Sequence, residues 1–243
     1  MYTNFIVIFS YFIVIYRIVQ LYEVLIAMSF QNQFTKTTTD ANLMETVHHG
    51  SAEYPFRYYY ENIALFDFKC IDWHWHSELE FIYIESGNVV FDIGTVHFEL
   101  NEGNGIMINS KILHRLQSSS DAIIPNFLFQ PSFIAPQDSL IYKKYINPVI
   151  SSSLEYLVFQ PDIPWQKKAL EIIKTIIAVQ ETEFNREIIV SMSVQQLWIL
   201  LLENLTFDQF ENMGAVISRT RLQLMMQYVH AHYSENITLE DIA

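Results

Sequence analysis

The sequence predicts a mainly β domain followed by helices, and three observations support this fold class. Between Phe56 and about Gln130, short runs of β-branched and aromatic residues alternate with turn residues, a pattern typical of short strands. The connections are too short to hold crossover helices, so the sheet must be antiparallel and close into a sandwich or barrel. After Pro131 the apolar residues recur at helical spacing instead.

Composition limits the class and the partners of the protein. The chain has 243 residues, of which 51% are hydrophobic and 17% charged, which is typical of a globular protein with room for one domain and a smaller helical one. Its net charge of −13 predicts poor DNA binding by this chain alone, because duplex binding depends on Lys and Arg. The single cysteine, Cys70, cannot form an internal disulfide, so a reducing, cytoplasmic location is expected.

The first 28 residues form an apolar extension that we predict to be helical. Arg17 and Glu23 interrupt it, so its fit to a membrane is marginal, and no basic residue precedes it as in a signal peptide. Three interpretations stay open: a membrane anchor, a helix packed on the body, or an upstream extension with synthesis beginning at Met28. We favour the third, without membrane association, because the lead segment 29–54 opens with a polar run typical of a flexible protein start.

The barrel is predicted to span residues 55–160. Its strands are separated by turns in which Gly and Asn supply positive φ angles. Seven strands are predicted: Tyr58 to Leu65, Leu79 to Glu85, Val89 to Ile93, Val96 to Leu100, Gly105 to Asn109, Leu113 to Gln117 and Ile124 to Phe129.

Helices are predicted to follow the barrel. Apolar spacing indicates helices at 164–183 and 186–205, which form an antiparallel hairpin within residues 161–210. A third helix is predicted at 216–233. The run Thr238-Leu239-Glu240-Asp241 has the form of a capping box, so a fourth helix is predicted to begin as the chain ends.

The most specific chemical pattern is the run from His74 to Glu80, HWHSELE, followed by Gly87. In an extended strand, residues two apart share a face, so His74, His76 and Glu80 can point into the barrel, with His114 alongside. Three imidazoles and a carboxylate can hold a divalent transition metal such as Zn, Mn, Fe, Ni or Cu. Alternatively, these side chains line a pocket without a firmly held metal. His48 and His49 are expected to be exposed.

These spacings resemble the two sequence motifs of the cupin superfamily. The pattern His-x-His-x3-Glu-x6-Gly is similar to the first motif, and the stretch from Gly103 to His114 is similar to the second. The resemblance implies a double-stranded β-helix, also called a jelly roll. In the second motif, Asn109 and Lys111 replace a Pro and a Gly, and Ser118 stands where an Asn is usual, which puts an enzyme-like site in doubt.

The phrases HWHSELEFIYIESGNVVFDIG and GIMINSKILHRL resemble the sensor domains of AraC-type regulators. The resemblance implies a barrel that holds a small-molecule effector and is not an enzyme. The alternative is a metal-dependent cupin enzyme, an oxygenase or isomerase, that uses the three His and one Glu. The effector pocket is predicted to contain His74, His76, Glu80, His114, Trp75 and Tyr83.

The end of the sequence carries a second resemblance to AraC-type regulators. Residues 215–243, and RLQLMMQYVHAHYSENITLEDIA in particular, are similar to the opening of their helix-turn-helix DNA-binding domain. The resemblance implies that DNA is bound only through a part beyond this chain, which is expected to be truncated before the recognition helices. It also implies a homodimer that pairs through the helical hairpin. The alternative is a hairpin that only covers the barrel. The apolar faces expected to pair contain Ile172, Ile173, Ile176, Leu197, Leu200 and Leu201.

Overall fold

The strands of the protein form two antiparallel sheets. A computed structural model describes residues 36–182, 184–205, 221, 224–229, 232, 235, 237 and 238. The strands in this part of the chain are β1 (Phe56–Asn62), β2 (Cys70–His74), β3 (Leu79–Tyr83), β4 (Asn88–Ile93), β5 (Val96–Asn101), β6 (Gly105–Ile108), β7 (His114–Gln117), β8 (Ile123–Phe129) and β9 (Tyr156–Phe159). One sheet has the order β1-β8-β3-β6-β9 and the other has the order β2-β7-β4-β5.

The two sheets enclose the first of two hydrophobic cores. The chain passes between the sheets repeatedly, and the facing side chains of both sheets interdigitate, among them Ile82, Phe91, Ile106, Leu116 and Ile124. All five are nearly or fully inaccessible to solvent. The fold is therefore the cupin-like, mainly β architecture that the sequence predicts.

The second core lies on the outer face of the five-stranded sheet. Phe81 stacks on Phe127 and on Phe129, with ring centroids 5.3 and 5.8 Å apart. Helices α2 (Pro164–Ala178) and α3 (Arg186–Asn204) cover this aromatic face, after the short helix α1 (Asn147–Ile150). The inner face of this sheet packs on the other sheet. Because the outer face is also apolar, it would be exposed to water without the helices.

The structure corrects several sequence expectations. Strands β2 and β9 were not predicted as strands, and the first predicted strand ends early, in a 3-10 turn at Ile63–Leu65. The hairpin faces expected to pair with a second copy are instead turned inward. Ile173, Ile176, Leu197 and Leu201 are buried against the protein's own core, and Ile172 and Leu200 are partly buried there. Helical spacing identified the apolar face correctly but not the partner that covers it.

Other expectations lie outside the described residues. These are the apolar extension 1–28, most of the predicted third helix and most of the capping box, although residues 224–229 are helical. Among the described residues, none of the helices combines the length and the apolar character needed to cross a bilayer.

Candidate functional site

The structure brings His74, His76, Glu80 and His114 together inside the barrel. His74 ends β2 and is paired in register with His114 at the start of β7. Their ring centroids lie 4.1 Å apart, and the His76 and His114 centroids lie 5.2 Å apart. All four residues are at most 7% exposed. Both sheets therefore contribute to one buried cluster.

The route by which the cluster assembles differs from the one the sequence suggested. The run from residue 74 to residue 80 is not one extended strand, because the chain bends at residues 76–78 and crosses from the four-stranded to the five-stranded sheet. His74 and Glu80 thus face each other from opposite sheets. Alternation along a single strand predicted that these side chains would cluster, but the clustering results from this bend and from strand pairing.

The turn after β6 holds the bend that carries His76. The Lys111 backbone N–H donates to the His76 carbonyl at 2.8 Å, and the Ser110 hydroxyl donates to the Ser77 carbonyl at 2.7 Å. Lys111 has a φ of +63°, the left-handed conformation that favours glycine. This position is the one at which the cupin motif has a Gly, and here a Lys adopts a backbone conformation that glycine accommodates most readily.

Backbone carbonyls set the tautomer of the three imidazoles. The Nδ1 atoms of His74, His76 and His114 lie 2.7, 3.3 and 2.8 Å from the carbonyl oxygens of residues 72, 78 and 112, respectively. A carbonyl only accepts, so each Nδ1 must carry the hydrogen. Each Nε2 lone pair is then directed to other partners, as in metal-binding histidines.

The Nε2 atoms of His76 and His114 meet the Glu80 carboxylate, which is also an acceptor. Glu80 Oε2 lies 3.3 Å from His76 Nε2 and 3.2 Å from His114 Nε2. Although it is buried, His114 Nε2 makes no well-aligned hydrogen bond. Acceptors that face one another in a buried site need a cation between them, either a proton or a metal ion. The three histidines offer ligand atoms within 4.8 Å of one another, so the donor set fits a divalent transition metal.

Burial and mutual contact set the charges of these groups. Burial would raise the pKa of Glu80, but contacts with His114 and His76 outweigh it and hold this pKa well below its usual range. Burial, and then the neighbouring His114, lowers the pKa of His74 to about 3. Burial would likewise lower the pKa of His76, but the hydrogen bond to Glu80 raises it above its usual value. At neutral pH the site therefore holds an ionised Glu80 and a neutral His74.

Several residues that sequence reasoning missed share a cavity with this cluster. Glu45 and His49 enter from the lead segment, and Tyr59 and Glu61 enter from β1. His49 is only 8% exposed, so its expected exposure was wrong, whereas His48 is exposed as expected. One signal was available: Tyr59 and Glu61 are two apart in a strand, and an acidic residue within an apolar run suggests a polar interior.

Two predicted pocket residues lie elsewhere. Trp75 points to the lead segment, where its indole Nε1–H donates to the Asn42 carbonyl at 2.8 Å. Tyr83 packs on the helix side of the sheet, with the Lys174 ammonium 4.7 Å from its ring centroid. Neither residue lines the cavity, because each has the opposite strand parity to the inward-facing side chains around it.

The cavity is small. Its volume is about 40 Å³. Apolar side chains at 47, 66, 71, 116 and 128 and polar side chains at 36, 37 and 126 also line it.

Comparison with known proteins places the chain in a family. Residues 66–136 match the AraC-like ligand binding domain. Over 211 residues the chain is 33% identical to the uncharacterized HTH-type transcriptional regulator YdeC of Bacillus subtilis (strain 168), a match that covers 84% of this chain and 70% of that protein.

Similar solved structures include ToxT K231A from Vibrio cholerae, in its apo form, and a cupin-2 domain protein from Shewanella frigidimarina. The first has a TM-score of 0.43 and 9% identity, over 80% of this chain and 70% of that one. The second has a TM-score of 0.27 and 14% identity, over 30% of this chain and 69% of that one. The regulator relative and the ligand-binding domain favour regulation over catalysis. The chain belongs to the AraC-type helix-turn-helix transcription regulators.

Proposed function

We propose that the barrel senses an effector for a cytoplasmic regulator and catalyses no reaction. The observation that carries this proposal is the cavity inside the barrel, lined by converging ionisable groups from the matched ligand-binding region and from the residues that precede it. An effector shifts the equilibrium between two conformations of a regulator. The size of the shift equals the difference between its binding free energies for the two conformations. Residues from both sheets and from the lead segment line this cavity, so a bound effector would contact all three.

We propose that His74, His76, Glu80 and His114 hold the bound group. The group that fits these four side chains is a divalent transition-metal ion. The fit rests on the three imidazoles, whose ligand atoms lie within 4.8 Å of one another, and on the ionised carboxylate that contacts two of them. A bound ion would supply the positive charge that these acceptors lack. The chain's own contribution is to fix the ring orientations through the backbone carbonyls.

Thermal unfolding of the full chain tests the site. Zn²⁺, Mn²⁺, Ni²⁺, neutral sugars and organic acids are compared as ligands. A ligand at 100 times its Kd stabilises the fold by about 2.7 kcal/mol, which raises the Tm by roughly 5–10 °C for a chain of this size. The rise should disappear in His114→Ala and persist in His97→Ala, which removes an exposed imidazole. If both variants respond as the wild type does, the site lies elsewhere.

The enzyme alternative rests on the same three His and one Glu. It predicts that an organic ligand bound by the wild type is converted to product, whereas a sensor returns it unchanged. Mass spectrometry of the ligand after prolonged incubation separates the two. Conversion that is lost in His76→Ala would establish the enzyme.

We also propose a homodimer that pairs through the outer face of α3. Ile188, Met192 and Ile199 form a stripe along this helix, each more than half exposed. A regulator that binds a paired DNA site needs two copies in fixed geometry, and an apolar stripe is a surface that a second copy can bury. The neighbouring apolar groove extends this surface and is lined by Ile141, Tyr145, Pro148, Trp198, Leu202 and Leu205.

Sedimentation measures this pairing. The double variant Met192→Glu, Ile199→Glu should be monomeric at concentrations at which the wild type is dimeric, because the carboxylates would be buried unpaired at the interface. Phe68→Glu removes a fully exposed apolar side chain far from α3 and should leave the dimer intact. A monomeric wild type would refute the proposal.

A further inference from the structure

An apolar groove lies between α3 and the residues that lead into α1. Its volume is about 860 Å³. Trp198 and Val149, which are 3% and 1% exposed, form its floor, and Tyr145 and Ile199 stand at its rim. The Trp198 indole Nε1–H donates to the Tyr145 carbonyl at 3.1 Å, so the ring has no free polar atom to offer. The groove is therefore suited to apolar groups.

Two charged side chains stand at the edge of the groove, one of each sign. Lys144 and Glu203 are exposed, and they are the only charged residues among the described residues that line it. The Lys144 ammonium lies 5.1 Å from the centroid of the Tyr145 ring, a contact that keeps it beside the groove. Within the described part of the chain, neither charge forms an ion pair, so each is available to a partner.

The two charges stand at different levels along α3. Lys144 precedes Tyr145, whose carbonyl is bonded to Trp198, so it lies near that level of the helix. Glu203 is five residues farther on, about 7.5 Å along the helix axis. A two-fold axis midway between these levels and perpendicular to α3 reverses their order in a second copy. It thus places Lys144 of each copy opposite Glu203 of the other, in two equivalent pairs.

These charges favour a second copy over a small molecule as the occupant of the groove. A small ligand would have to be apolar and also carry charges of both signs, whereas a second copy supplies the complement by symmetry. The groove is also continuous, through Ile199, with the exposed stripe that contains Met192 and Ile188. A small ligand would leave this stripe in water, whereas a protein partner is large enough to extend over it.

We infer that a second copy of this chain occupies the groove with its α3 antiparallel to the first, and that Lys144 and Glu203 determine which chains pair. The inference rests on the homodimer proposed above and adds its orientation and its specificity. An apolar surface alone associates with many other apolar surfaces. Charges that attract in a matched pair and repel in a mismatched one restrict the partner to a chain with the same arrangement.

Sedimentation velocity of the full chain at about 0.1 M salt tests the role of the charges. Lys144→Glu and Glu203→Lys should each weaken self-association by about tenfold or more, because each variant places like charges opposite one another at two points of the dimer. The double variant Lys144→Glu, Glu203→Lys exchanges the signs and should associate within about threefold of the wild type. Lys167→Glu and Glu102→Lys make the same changes of charge at exposed positions outside the groove and should leave association unchanged.

A mixture of the two single variants tests whether the charges face each other. A Lys144→Glu chain carries two acidic side chains at the groove and a Glu203→Lys chain carries two basic ones, so each repels its own copy and attracts the other. The mixture should form heterodimers at concentrations at which either variant alone is monomeric, and native mass spectrometry of isotope-labelled chains measures this. Salt at about 1 M should remove most of this preference, because it screens exposed charges.

If the single variants associate as the wild type does, the inference is overturned, while Met192→Glu, Ile199→Glu still decides the homodimer proposal. Single variants that weaken association without recovery in the double variant or in the mixture also overturn it, because the two charges then do not face each other. A monomeric wild type refutes both proposals, and binding of the apolar dye ANS to that monomer would assign the groove to a small molecule.

Discussion

Asn109 stabilises the turn after β6 in place of the proline of the cupin motif. It occupies the position at which the cupin motif has a proline, and it is fully buried. Its side-chain amide donates to the carbonyls of Val149 and Leu154, at 3.1 and 2.8 Å, and its Oδ1 accepts from the Ser110 N–H. The turn that supports His76 is therefore held by hydrogen bonds rather than by a rigid ring.

Asn109→Ala removes three hydrogen bonds, two of them buried, and should lower the free energy of unfolding by about 1.5–4 kcal/mol. Urea denaturation measures this loss. Asn101→Ala, at an exposed position, is the control and should cost less than about 0.5 kcal/mol. Equal losses in the two variants would show that the network contributes nothing.

Glu61 links stability to pH at the residue scale. Part of the residue is exposed, but its carboxylate lies in the cavity and accepts from Asn126 Nδ2 at 2.7 Å. Burial, and then the charge of Glu80, raises the pKa of Glu61 to about 8. Between its ordinary pKa of 4.5 and this value, the folded protein binds more protons at this group than the unfolded chain does. Glu61 therefore destabilises the fold increasingly as the pH rises through that window.

Glu61→Gln removes this dependence. Measured by urea denaturation in EDTA, the stability of the variant relative to the wild type should rise steadily from about pH 5 to about pH 8. Glu102→Gln, an exposed change, should follow the wild type. A difference between Glu61→Gln and the wild type that does not vary with pH would contradict the raised pKa.

At the scale of elements, tight turns connect the strands. Two glycine turns have the same backbone conformation but differ in how closely other atoms approach the glycine. Gly87 and Gly103 have φ angles of +80° and +86°. A Cβ added at Gly87 would lie 2.6 Å from the Asp121 carbonyl oxygen, whereas one added at Gly103 would meet nothing within 4 Å. The two turns share the backbone conformation, but only the first also requires close approach.

Gly103→Ala should cost about 1–2 kcal/mol, the price of a left-handed conformation for an L-residue. Gly87→Ala should cost clearly more, since the backbone at Asp121 must also shift. Chemical denaturation of both variants gives the comparison. Equal costs would mean that the turn at Gly87 moves freely.

Helix α3 illustrates what an element's own pattern leaves open. Val194 and Leu197 on one side are buried, while Met192 and Ile199 on another side are exposed. Periodicity identified the helix and the apolar face that contains Leu197, but because the helix is apolar on both sides it did not show which side the barrel would cover. The inward face became known only from its packing on α2.

The whole molecule is acidic, with 27 Asp and Glu against 14 Lys and Arg. DNA binding releases counterions from phosphates that basic side chains neutralise, and an acidic body opposes this. The chain should therefore not retard a duplex of arbitrary sequence in a gel at about 0.15 M salt. A basic helix-turn-helix protein serves as the positive control. If the chain does retard the duplex and the effect weakens steeply with salt, the protein has a basic surface despite its negative net charge.

The sequence by itself determined the mainly β class, most strands, both hairpin helices and the chemical types in the cluster at 74–80 and 114. These follow from local periodicity, turn chemistry and motif spacing, which depend on neighbours in the chain. Only the tertiary structure decided that His74 and Glu80 face each other from different sheets, that Glu45 and His49 enter the cavity, and which face of α3 is covered. These arrangements depend on strand pairing and packing between distant residues, which local spacing does not encode.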